Sequence, residues 1–432
     1  MNFLSAAFII ILMIFLLKLS VRIFNDYINP ASFLTLYWLI LMILPFIFTP
    51  NLYFSFTAFL WVVSSIGFWV LGSALSLKIR FQFYKSDFSS LFHNPIFGKI
   101  IFSCIVFAGV CGLLVCFNMF FSLGGSIYLF GDLNQIAELS RESAQQRYKL
   151  EYGLSTYQAI LMSFLYAGCI LSGLYSSIFT KSYLSLIKKF FVFLPLFCLV
   201  MFSFITNGRG AILYGATLFI GSWVVSKIAI QESLIKLLNF KNLIRICLIS
   251  ASIIAMLFYI QMIRFGDSFV GDVVQDFIKV YFFGYLSGYS YWFDNYSSFS
   301  TNIFSHSALF GGFYKLLGLE AYSPDNYQPK YIFLNLETNV DTIFSEILID
   351  FGKYFGLVFS FFSGLISGIL YKLLREGSFL SFPFICFIYC TIIWSWVTSL
   401  GNYTTIIFAF CQIFFLFLLI EIFFLKYKLQ IR

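Results

Sequence analysis

Met201-Phe202-Ser203-Phe204-Ile205-Thr206-Asn207-Gly208-Arg209-Gly210-Ala211-Ile212-Leu213 joins two apolar stretches, 190–206 and 211–227, through a turn of four residues. Each stretch approaches the ~20 residues that a helix needs to cross a ~30 Å hydrocarbon layer, so one membrane span leaves the lipid here and the next enters it. The turn's one charge is Arg209, set between two glycines. A charge this close to hydrocarbon costs about 3 kcal/mol, so such an arginine snorkels or faces a polar cavity where it has a role. The flanking glycines carry no Cβ and let a bulky ligand approach the guanidinium, a forked donor suited to phosphate or pyrophosphate. An interfacial arginine capping a helical hairpin gives the same pattern.

Outward from this hairpin the same pattern repeats. The chain is 60% hydrophobic and 11% charged with mean hydropathy +0.91, against about 25% charged residues in a soluble domain. Apolar stretches fall at 3–20, 30–49, 53–76, 99–122, 156–179, 190–206, 211–227, 246–263, 354–371, 378–399 and 405–425. The fold class expected is therefore an all-α polytopic membrane protein of about eleven spans, a single integral membrane domain over 1–432. The aromatic stretch 278–293 reads as a twelfth span, a re-entrant segment or an interfacial helix.

Basic residues give the orientation, because Lys and Arg accumulate in short cytoplasmic loops. Alternate loops and span ends hold Lys18 and Arg22, Lys78 to Lys99, Lys181 to Lys189, Lys227 to Arg245, Lys372 and Arg375, and Lys426 to Arg432: 18 of the 27 Lys and Arg. That face is expected to be cytoplasmic, with the C-terminus on it. Lys18 and Arg22 follow the first apolar run instead of preceding it, so that run reads as a retained helix and not a cleaved signal peptide. The net charge of +8 reports topology and gives no argument for nucleic acid. All nine cysteines lie inside the spans as small apolar fillers, which implies neither a disulfide framework nor a thiol metal site.

Two segments on the opposite face, 123–155 and 264–353, are too long and polar to be turns, and function is expected there. Residues 134–152 of the first allow a weakly amphipathic surface helix. The second carries ten acids together with Tyr285, Tyr289, Tyr291, Trp292 and Tyr296. Those aromatics suit sugar stacking, and equally an interfacial aromatic belt.

The chain holds no Gly-rich phosphate loop, HExxH or Cys-x-x-Cys, and its outer acids form no DxD pair for a metal-bound nucleotide sugar. The outer face instead offers Arg209 and Arg264, two guanidiniums that would hold a lipid-linked pyrophosphate by bidentate contacts as it departs. Arg264 has a plainer partner in Asp267. His306 is the one outer histidine and the natural general base for a sugar hydroxyl, though a lone loop histidine is equally plain surface. Thr338, Asn339 and Asp341, shortly before Asp350-Phe351-Gly352, suit sugar hydroxyls, as they suit helix capping.

These segments together resemble the O-antigen polymerases, the Wzy-type oligosaccharide repeat-unit polymerases of bacterial envelopes. The resemblance rests on Asn207-Gly208-Arg209-Gly210 between two spans, Thr338-Asn339-Val340-Asp341-Thr342 before Asp350-Phe351-Gly352, the Gly364 and Gly368 spacing, and many spans with a large late outer loop. It covers most of the chain in layout and only these segments in residues. It implies a GT-C-like glycosyltransferase of the bacterial inner membrane, with its active site facing the periplasm and 123–155 and 264–353 as periplasmic loops. Undecaprenyl-pyrophosphate-linked glycans would be its substrates. The growing glycan would pass to a newly flipped unit, with release of undecaprenyl pyrophosphate and without a metal or other cofactor. Pyrophosphate binding carries onto Arg209 and Arg264, and a chain-length regulator and a flippase are the partners implied. Arg209 to Leu213 also matches an Arg-x3-Leu pattern of the related O-antigen ligases, but their histidine motif is not reproduced around His306. A ligase, and a lipid-linked oligosaccharide flippase, are the rival readings; a transporter would carry charges within its spans, where Glu421 alone is expected.

Overall fold

The computed structural model describes residues 3–79, 94–122, 155–179, 186–206, 208–230, 255, 271–295, 308–319, 330–331, 337–338 and 342–430. Its elements in chain order are α1 (Phe3–Phe24), α2 (Pro30–Phe48), α3 (Phe56–Ser76), α4 (Pro95–Ser122), α5 (Thr156–Phe179), α6 (Leu186–Thr206), α7 (Gly210–Ala229), α8 (Gly271–Asn295), α9 (Gly311–Leu316), β1 (Lys330–Tyr331), β2 (Glu337–Thr338), α10 (Ile343–Arg375), α11 (Ser381–Trp394) and α12 (Thr404–Gln430). Nine of the described helices, α1 to α7, α10 and α12, are long and apolar enough to cross a membrane. The chain is thus a helical multi-pass membrane protein.

Sequence and structure differ at two spans, and 246–263 lies outside the described residues apart from Ala255. The stretch 278–293 becomes α8, a helix that is not among the nine. The span read from 354 starts eleven residues earlier, at Ile343. The span read as 378–399 is a helix of 14 residues, after which the chain breaks into turns and a 3-10 segment, Leu400–Asn402. The break is possible because other groups take over the released backbone and side-chain donors: Ser399 N donates to the Glu346 carboxylate at 2.7 Å, and Gly401 N donates to Ser399 Oγ at 3.0 Å. Irregular backbone at membrane depth survives only when protein satisfies it in this way.

The chain divides into two compact units. The first comprises Met1–Lys85 and Val270–Ile407. Here α2 starts on Asn29, whose side chain accepts from Ala31 N at 2.9 Å, with Pro30 in the first turn, where a missing N–H costs nothing. α3 and α10 make the closest pair. A methyl at Gly364 would overlap the Trp69 carbonyl and one at Gly72 the Phe361 carbonyl, while Ser73 Oγ donates to Gly364 O at 2.8 Å. Small residues that bring two helix backbones together are how membrane helices gain dispersion contact when no water is displaced, and this explains the Gly364 and Gly368 spacing. At the far end Tyr371 donates to Asp26, Arg375 stands 3.6 Å from the same carboxylate, and Lys372 Nζ donates to Ile79 O at 2.7 Å.

The second unit comprises Ser86–Phe269 and Phe408–Arg432. α5 lies against α4, α6 and α7. Its contact with α7 is again backbone on backbone: a methyl at Gly173 would overlap the Phe219 carbonyl, and Ser222 Oγ donates to Ile170 O at 2.6 Å. Lys227 is buried near the end of α7 with Nζ 3.0 Å from the Ser177 carbonyl, which places a cation on the C-terminal carbonyls of α5, as helix dipoles favour.

Candidate functional site

The most polar interior of the first unit is built on α10. This helix carries a break at Gly352, whose φ of 69° and ψ of −177° belong to a region open essentially to glycine alone. The leg before the break starts beside the midpoint of α2: Ile343 N donates to Ser395 O at 2.8 Å, Trp38 Nε1 donates to Ser395 Oγ at 2.9 Å, and the Trp38 and Phe344 rings meet edge to face at 4.8 Å. It ends beside the first turns of α3, where Trp61 Nε1 donates to Lys353 O at 3.1 Å. A helix that begins halfway along its neighbour has its N-terminus inside the apolar layer.

Two carboxylates one turn apart on this leg are buried, Glu346 at 6% exposure and Asp350 at 4%. Both serve chain that is not helical. Asp350 accepts Ala308 N on one oxygen and Leu309 N on the other, each at 2.8 Å. Glu346 accepts Thr398 Oγ1, Ser399 N at 2.7 Å and Asn402 Nδ2 at 2.8 Å. Asn402 Oδ1 in turn accepts Gly311 N at 3.0 Å. The network therefore fixes the turn Ala308–Phe310, the start of α9 and the segment 398–402 onto one half-helix. Thr342, at the N-cap of the leg, makes no side-chain cap, and its buried Oγ1 has no hydrogen-bond partner among the described residues. The capping expectation for the stretch ending at Thr342 is therefore not met by Thr342's side chain.

In the second unit Arg209 holds the N-cap position of α7, with φ −77° and ψ −24°. Its carbonyl accepts Leu213 N at 3.3 Å, and its side chain does not cap the helix. Gly208 N closes α6 by donating to Ser203 O at 3.1 Å. Gly210 has a packing reason beside the one read from the sequence, since a methyl there would press on the Tyr214 ring at 3.3 Å. Arg209, a half-buried residue, thus stands at the positive end of α7, where backbone N–H groups favour an anion.

Comparison of the chain with protein-family models, with curated proteins and with solved structures finds no match. Of the six site residues expected from sequence, Arg209 and Thr338 fall among the described residues, one in each unit. Thr338 lies in β2, paired with Lys330 of β1 in an antiparallel ladder. His306, Arg264, Asn339 and Asp341 lie outside the described residues. Sequence reasoning counted Glu346 and Asp350 only among the outer acids and took Glu421 as the one charge within a span. That expectation is corrected: both acids are buried in α10. Their four-residue spacing amid Ile343, Phe344, Ile347, Leu348 and Ile349 was the available signal, because it keeps a helix turning upstream of Gly352.

Proposed function

We propose that the chain is a repeat-unit polymerase of the O-antigen polymerase type, acting on lipid-pyrophosphate-linked oligosaccharides at the outer face of the bacterial inner membrane. The observation that carries this reading is Arg209, a half-buried arginine at the N-terminus of α7 in the turn between two helices long and apolar enough to span. In the proposed reaction a hydroxyl at the non-reducing end of one unit attacks the anomeric carbon of the glycan on its carrier. The carbon–oxygen bond to pyrophosphate breaks, the leaving group takes the electron pair, and Arg209, with Arg264, offsets its charge. The hydroxyl proton goes to His306 as general base, and Thr338, Asn339 and Asp341 hold sugar hydroxyls.

The test is the lipopolysaccharide and lipid intermediates of cells lacking the chain, complemented with variants. Core capped by a single unit marks a lost polymerase, and bare core with polymer still on the carrier a lost ligase. Arg209→Ala should abolish polymer at normal membrane levels of protein, and Arg209→Lys should restore little, since an ammonium cannot make the planar two-pronged contact. Normal polymer from Arg209→Ala overturns the assignment.

A second reading has its own observation. Buried carboxylates on a broken helix at membrane depth are common in transporters, and Glu346 and Asp350 on the leg before Gly352 have that form. Accumulation of lipid-linked units on the cytoplasmic side in the deletion strain would decide for a flippase.

A further inference from the structure

The connection between α2 and α3 meets the last turn of α8 on an open face of the first unit. Asp294 accepts Tyr53 OH at 2.5 Å, Ser55 Oγ at 2.8 Å and Thr57 Oγ1 at 3.0 Å. The rings of Tyr53 and Tyr291 stand at 82° with centroids 6.5 Å apart, and each residue is exposed, at 41% and 42%. Asp294 and Thr57 are exposed beside them.

Fold stability accounts for part of this cluster. Ser55 caps α3 by accepting Ala58 N at 3.3 Å, and a carboxylate near that N-terminus is favourable. The remainder is unexplained by it. At the end of its own helix Asp294 opposes the dipole, at a cost of about 0.3–1 kcal/mol, and two tyrosine rings left open bury little. Membrane-interface tyrosines place the ring in lipid and the hydroxyl in water or on headgroups. Tyr53 instead turns its hydroxyl onto Asp294, which raises its pKa above the ordinary 10.0 through that hydrogen bond, then burial, then the carboxylate's charge.

Aromatic faces take the C–H surface of a sugar ring, while carboxylates and hydroxyls take its OH groups. Three hydroxyls on a carboxylate leave about one of its four lone-pair positions for a ligand. We propose that Tyr53, Tyr291 and Asp294 form a platform that docks a sugar ring of the oligosaccharide substrate. It rests on the polymerase reading for the identity of that substrate, and it lies in a connection on the face opposite the basic loops.

The experiment uses the full chain in lipid nanodiscs and, as probe, the oligosaccharide released by mild acid from the lipid-linked glycans of the producing cells. Binding is followed by saturation-transfer NMR and titration. Tyr291→Ala, Tyr53→Ala and Asp294→Asn should each weaken binding by about tenfold, the scale of one aromatic or polar contact, while Tyr53→Phe keeps the stacking face and loses less. Among the described residues the contact of the Tyr291 side chain with this cluster is through its ring, so its variant guards against misfolding, which thermal stability in the same nanodiscs monitors. Wild-type affinity in folded Tyr291→Ala, or no binding by the wild type, overturns the platform. Polymer lost in cells lacking the chain with binding unchanged in Tyr291→Ala removes the platform alone; normal polymer in cells lacking the chain with binding lost in Tyr291→Ala removes the polymerase reading and leaves the platform.

Discussion

The two units share one way of handling buried polarity, donation to carbonyls of neighbouring helices, and the first adds another. In the second, side chains with hydrogen to give donate it across to carbonyls of a neighbouring helix: Ser222 to Ile170, Cys116 to Cys198, Lys227 to Ser177. The Ile170 and Cys198 carbonyls would be satisfied within their own helices without these bonds, Ser177 O lies in the open last turn of α5, and all three bonds hold helix to helix. In the first, Glu346 and Asp350 accept from backbone and side chains that have left helical geometry. A carboxylate away from water costs several kcal/mol unless it is well hydrogen-bonded, and a released N–H in the same place also costs free energy. Each satisfies the other. Among the described residues the second unit is therefore built as a scaffold, and the first contains irregular chain at depth, the arrangement that lines cavities in membrane proteins.

The sharpest way to break this comparison is to remove the carboxylates. Asp350→Ala leaves Ala308 N and Leu309 N without their acceptor, and Glu346→Ala leaves Thr398 Oγ1 and Ser399 N without theirs, while Asn402 Nδ2 keeps Thr398 Oγ1 at 3.1 Å. At about 1–3 kcal/mol for each buried unsatisfied donor, both variants should lose most of their folded yield and melt well below the wild type in detergent. Glu346→Gln and Asp350→Asn keep one carbonyl acceptor and should fall between. Alanine variants as stable as the wild type would mean that the non-helical chain carries itself.

A smaller loss is expected at the glycines where the two units agree. Gly364→Ala and Gly173→Ala each drive a methyl into a facing backbone carbonyl, Trp69 or Phe219. Overpacking of this kind costs typically about 1–3 kcal/mol, and it should be similar in the two variants, read as melting temperature. A large disparity would show that one helix pair can slide apart and the other cannot.

Gly352→Ala isolates the break itself. Among the described residues nothing lies within 4 Å of the added methyl, so the effect comes from forcing an L residue into φ 69°, ψ −177°, about 1–3 kcal/mol of strain. If the alanine variant is fully stable, α10 tolerates another path between Asp350 and Lys353.

What the sequence made legible follows from the range of the forces involved. The nine apolar helices and the turn at Arg209 were readable because burial in lipid is a local property of about 20 residues. The close pairing around Gly364 was readable as spacing, though not its partner Gly72. Span 378–399 was overextended because its end is decided elsewhere: Ser399 N is taken by Glu346, 53 residues away in sequence. Asp350 likewise meets its donors 41 and 42 residues upstream. No local pattern reports such pairings, so the two acids looked like solvated loop charges.

The smallest effect completes the comparison from the scaffold side. Ser222→Ala in α7 removes a hydroxyl that donates to Ile170 O at 2.6 Å. That carbonyl belongs to the interior of α5 and keeps its own helical N–H, so no polar group is orphaned, in contrast to Asp350→Ala. Interhelical hydrogen bonds of this type average about 0.6 kcal/mol in membrane proteins, and the shift in melting temperature should be a small fraction of that seen for either carboxylate. Equal losses from Ser222→Ala and Asp350→Ala would erase the distinction drawn between the units, because they would place as much free energy in a neutral bond between intact helices as in a charge that sustains a broken one.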